Sequence, residues 1–123
     1  MLKKIKVPNF ENTAGTVQDI RFTYEVFGPD LGEAPVVLVN HALSGNSEIT
    51  GITGWWNAVV GERKIIDTTK YTVLAFNMPG NGFDGDPENL LDNYREFTLR
   101  DIARIYLEAI DKLQIKKLYA GIG

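Results

Sequence analysis

Two short apolar runs constrain this chain more than anything else in it: "VVLVN", Val36 to Asn40, and "YTVLAFN", Tyr71 to Asn77. Neither alternates apolar with polar side chains, and β-branched runs of that kind belong to strands buried on both faces. Strands covered on both sides are characteristic of parallel sheets, whose neighbours are joined by crossovers. A Gly-rich loop, His41 to Gly54, and "WWNAVVGERKIIDTTK" lie between the two runs, and the second segment is expected to be a short helix with an irregular end. The predicted unit is β-loop-α-β.

The flanking segments extend the pattern. "VQDIRFTYEVFG" alternates Ile20, Phe22, Tyr24 and Val26 with Asp19, Arg21, Thr23 and Glu25, which predicts a half-buried strand. With "LKKIKV" before it and a turn around Gly15, it forms an expected hairpin. "TLRDIARIYLEAIDKL" repeats Leu99, Ile102, Ala103, Tyr106, Ala109, Ile110 and Leu113 at steps of three and four, the stripe of an amphipathic helix. Thr98 is its expected N-cap and Asp101 the third residue of an imperfect capping box. "KKLYAGIG", Lys116 to Gly123, reads as a buried strand running into glycine. The expected architecture is α/β: an antiparallel hairpin, then a mainly parallel sheet with crossover helices, in one domain over residues 1–123.

Composition narrows the function. The 44% hydrophobic content suffices for a core, and the net charge of −3 with interspersed signs argues against a nucleic-acid surface. No apolar run is long enough to span a bilayer and the N-terminus lacks a signal-peptide core, so a cytoplasmic location is expected. Without cysteine, and with His41 the one histidine, the chain offers no thiol nucleophile and no metal cluster.

Individual motifs are weaker. "GNGFDG", Gly80 to Gly85, fits G-x-G-x-x-G, but "DPENLLDNYREF" intervenes before the helix and Asp84 and Asp86 would repel phosphate, so it reads as a surface turn. Pro87 likewise breaks any calcium-loop ladder. Neither serine, Ser44 or Ser47, stands in a G-x-S-x-G elbow, and His41 reads as a structural, hydrogen-bonded residue. Trp55 and Trp56 read as core or pocket wall.

Five segments taken together, "NHALSGN", "GWW", "GERKIIDT", "YTVLAFN" and "FTLRD", resemble the homoserine O-acetyltransferases of the α/β-hydrolase superfamily in order and spacing. The resemblance implies that the chain is the N-terminal part of an α/β-hydrolase domain, ending just before the nucleophile elbow, with the catalytic serine, acid and base downstream. It implies transfer of an acetyl group from acetyl-CoA to L-homoserine through an acyl-serine, in methionine biosynthesis. No cofactor would be bound; acetyl-CoA would be a co-substrate. The partners would be these small molecules and the rest of the same polypeptide, with neither nucleic acid nor membrane, and a homodimer is compatible. In such a fold the loop after the third strand supplies an oxyanion-hole N–H, here that of Leu43. Ser44 beside it is expected to face substrate, with Gly51 to Trp56 helping to wall the pocket. "NMPGNGFDGDP" looks closer to general α/β-hydrolases, which keeps an esterase open. A non-catalytic α/β interaction domain is the alternative of another class, since the segment by itself lacks nucleophile, acid and base.

Overall fold

The computed structural model describes residues 1–123. Strands β1 (Lys3–Glu11) and β2 (Val17–Phe27) form the expected antiparallel hairpin, and β3 (Val36–Val39) and β6 (Thr72–Phe76) are the two buried runs. Between these last two lie the short strands β4 (Val60–Gly61) and β5 (Ile66–Asp67). Helix α1 (Leu99–Lys112) and strand β7 (Ala120–Ile122) complete the chain. The main sheet has the order β1-β2-β6-β3-β7. The β1–β2 and β2–β6 pairs are antiparallel, while β3 is parallel to both β6 and β7. All strands of this sheet except β2 therefore run the same way.

Every residue of β3 and β6 is buried, as unalternating β-branched runs require. Their side chains divide between two cores. On one face Val36, Leu38, Leu74 and Phe76 pack with Phe22, Tyr24 and α1; on the other Val37, Val39, Val73 and Ala75 pack with Ile49, Val60 and Ile66. Phe76 sits among aromatic rings, with centroids 5.7 Å from Phe22, 6.1 Å from Tyr24 and 4.8 Å from Tyr106. Aromatic pairing at these separations adds to simple area burial.

The crossover from β3 to β6 departs from expectation. It contains no helix, only turns and the two-residue parallel ladder Val60↔Ile66, Gly61↔Asp67. Local side-chain chemistry explains this. Asp67 Oδ1 accepts the backbone N–H groups of Arg63 and Thr69, competing with helical bonds, and Arg63 adopts a left-handed φ of 59°. Gly54, in "GWW", is buried where a Cβ would lie 2.4 Å from backbone atoms of Thr50. Gly54→Ala is accordingly expected to destabilise the intact protein by about 1–3 kcal/mol, read as a lowered Tm.

Helix α1 has a complete capping box: Thr98 Oγ1 accepts the Asp101 N–H and Asp101 Oδ2 accepts the Thr98 N–H. Its packed stripe is Ile102, Ile105, Tyr106, Ala109, Ile110 and Leu113, which adds Ile105 to the expected set. Leu99 and Ala103, counted in that set, are exposed. The final strand also differs. It begins only at Ala120, where it pairs with β3, and Tyr119 before it is 63% exposed. No helix in the fold is long and apolar enough to cross a membrane.

Candidate active site

The C-terminal ends of β3 and β6 lie side by side, and the loops leaving them meet at a cavity of about 340 Å³. Ligands of open α/β sheets bind outside these strand ends. Leu43 borders the cavity from the β3 loop, Met78 to Asn81 from the β6 loop, and Thr98, Leu99 and Ile102 from the start of α1. The lining is mainly apolar, suited to excluding water from a reaction.

The β3 loop is built around a β-turn closed by the Gly45 N–H donating to the Ala42 carbonyl at 2.8 Å. Leu43 and Ser44 are its two central residues. Their N–H groups, and that of Ala42, have no hydrogen-bond partner in the fold. The Leu43 side chain is 84% exposed. Ser44 is exposed on the same turn but outside the cavity wall. Gly51 to Trp56 do not line this cavity either. The two tryptophans instead stack on each other at 5.5 Å, with Trp56 against the second core and Trp55 Nε1 donating to the Asn46 carbonyl.

His41 is held at both ring nitrogens. The Met78 N–H donates to Nε2 at 2.9 Å, which leaves the proton on Nδ1 to be donated to the Ala42 carbonyl at 2.6 Å. This is the structural role expected from sequence: the ring ties the β3 loop to the β6 loop and has no free nitrogen for chemistry.

Ser47 lies beneath the turn and is fully buried. Its Oγ donates to Glu25 Oε2 at 2.6 Å and accepts from Asn77 Nδ2 at 2.9 Å, while its N–H donates to Asn77 Oδ1 at 2.8 Å. Asn77 Nδ2 also donates to Thr23 Oγ1, and the Met1 amine is 3.5 Å from Glu25 Oε1. Sequence reasoning missed this cluster. The period-two alternation assigns Thr23 and Glu25 to a polar, outward face, yet both are buried, because the loop after β3 folds over that end of β2. The one available signal was the polar Asn77 directly after the apolar run Val73 to Phe76.

Gly80, Gly82 and Gly85 all adopt positive φ, at 84°, 73° and 70°, so "GNGFDG" is the expected surface turn. Asp84 and Asp86 accept local N–H groups, from Asp86 and Glu88 respectively.

A mixed sheet with buried parallel strands, and ligand-sized space at their C-terminal ends, defines an α/β enzyme-type scaffold. The chain belongs to the α/β-hydrolase fold family, whose model matches residues 35–123. Among curated relatives it is 35% identical to a homoserine O-acetyltransferase of Methanococcus vannielii, over 88% of this chain and 25% of that protein. A homoserine O-acetyltransferase of Nautilia profundicola is 29% identical over 99% of this chain and 38% of that protein. Among solved structures, the homoserine O-acetyltransferase of Staphylococcus aureus superposes with a TM-score of 0.81 at 28% identity, covering 100% of this chain and 38% of that one. Esterase E22 shares the fold, with a TM-score of 0.79 at 24% identity, over 100% of this chain and 40% of that one. The chain thus spans between a quarter and two fifths of the length of these relatives.

Proposed function

We propose that the intact polypeptide is an acyltransferase that moves an acetyl group from acetyl-CoA to the hydroxyl of L-homoserine through an acyl-serine. The observation that carries this reading is the run of curated relatives named homoserine O-acetyltransferase. In the first half-reaction a serine oxygen bonds to the thioester carbon as a histidine takes its proton, and the C–S bond breaks to release CoA. The sulfur takes that proton and leaves as the CoA thiol. In the second half-reaction the homoserine hydroxyl gives its proton to the histidine as its oxygen bonds to the acyl carbon, and the departing serine oxygen takes that proton. The Leu43 N–H, unpaired and at the cavity edge, donates to the oxyanion formed in each step. Ser44, next along the turn and outside the wall of this cavity, meets substrate on this reading only where the substrate extends past the cavity rim. The reading also carries a place in methionine biosynthesis, a cytoplasmic location and a homodimer as the assembly.

On this reading the nucleophile, acid and base lie in the rest of the polypeptide; the burial of Ser47 and the engagement of both His41 ring nitrogens are in keeping with it. The chain alone is expected to release no CoA. The test is thiol release by the intact gene product from acetyl-CoA, with and without L-homoserine. Release that requires homoserine and yields the O-acetyl ester supports the transferase. Acetyl-ester hydrolysis indifferent to homoserine makes it an esterase, in line with the turn at Met78 to Asn81. Neither activity, in a natural product of 123 residues, makes it an interaction domain.

A further inference from the structure

We propose that Asn77 is a positioning residue that holds the β3 loop so that the Leu43 N–H points into the cavity; this rests on the Leu43 N–H being a donor to substrate. Asn77 is 2% exposed and its amide is saturated. Nδ2 donates to Thr23 Oγ1 at 2.8 Å and to Ser47 Oγ at 2.9 Å, while Oδ1 accepts from the Ser47 N–H at 2.8 Å and from Asn81 Nδ2 at 3.1 Å. Both donors and both acceptor lone pairs are occupied. The amide cannot turn over, because Ser47 Oγ gives its one proton to Glu25 Oε2 and must accept from Asn77. One side chain at the end of β6 therefore joins β2, the β3 loop and the β6 loop.

The other end of the β3 loop is pinned independently. The Asn40 N–H donates to the Ile122 carbonyl at 2.8 Å, and His41 Nε2 accepts from the Met78 N–H. Between the two pins runs the turn whose Ala42, Leu43 and Ser44 N–H groups have no partner in the fold. Fixing a loop tightly at both ends while leaving its donors unpaired in between is the arrangement that preorganised dipoles need.

The test is a double-mutant cycle in the intact polypeptide, with acylation by p-nitrophenyl acetate as the readout. Asn77→Asp keeps the shape but removes both Nδ2 donors; Ser47→Ala removes the hydroxyl and carries the same test should Asn77→Asp not fold. Each is expected to slow acylation about tenfold with KM little changed, and to cost nothing further in a Leu43→Pro background. Amide exchange at Gly45, bonded to neither substituted side chain, is expected to rise about tenfold while β3 and β6 amides hold their protection. Losses that multiply with that of Leu43→Pro, or exchange that rises equally through β3 and β6, overturn the positioning role and leave the donor reading standing. A Leu43→Pro protein that acylates at the natural rate overturns the donor reading and this proposal with it.

Discussion

Leu43→Pro is expected to lower kcat of the intact enzyme by about 10²–10³-fold, whereas Leu43→Ala lowers it less than about tenfold. Proline deletes the N–H that would donate to the oxyanion, and alanine keeps it. The fold makes this a clean comparison. Leu43 is the first central residue of the Ala42–Gly45 turn, a position where proline's fixed φ is favoured. Within these 123 residues its N–H has no partner and its side chain is mostly exposed, so neither variant removes a contact inside this segment. Steady-state kinetics on both proteins, with matched Tm values as the folding control, check the result. Equal activity in the two variants would move the donor elsewhere on the loop, with the unpaired Ala42 N–H the next candidate.

Asp101→Ala is expected to destabilise the intact protein by roughly 3–5 kcal/mol, measured by denaturant unfolding. Asp101 is fully buried and links three parts of the fold. It accepts the Thr98 N–H that opens α1, the Thr13 N–H and hydroxyl in the β1–β2 turn at 3.0 and 2.8 Å, and Arg104 Nη1 at 3.4 Å. Truncation deletes four hydrogen bonds to a buried, ionised acceptor at once, and bonds to charged groups contribute more than neutral ones. Desolvation by burial is the largest single influence on this carboxyl and raises its pKa. The hydrogen bonds from Thr98 and Thr13 together outweigh it and hold the folded value below the ordinary one. As pH falls, the unfolded chain therefore takes up its proton first. The ionised group's contribution is complete above the unfolded value of about 3.9 and is lost as pH drops through the lower, folded value. In Asp101→Asn that share of the acid sensitivity is expected to vanish, so natural and variant proteins converge in stability below about pH 4. An unchanged gap between them from pH 7 to pH 3 would rule out Asp101 as the titrating group.

The helix N-cap, the hairpin, the two doubly buried strands and the family resemblance were legible in order and composition. Each rests on interactions within a few residues or on a periodicity that one element imposes alone. A run such as Val36 to Val39 can only be a strand with apolar matter on both faces, and Thr98 with Asp101 caps a helix whatever the helix packs against. Position along the chain likewise put Leu43 on the loop that leaves β3. Tertiary structure decided which face of β2 is wet. Thr23 and Glu25 alternate as solvent residues, yet the loop after β3 folds over them, and burial then obliges Ser47 and Asn77 to satisfy their polar atoms. Those outcomes depend on contacts between residues up to fifty-four positions apart, as in the Asn77–Thr23 bond. Local pattern carries no information about such pairs, because their free energy exists only once the sheet has brought them together.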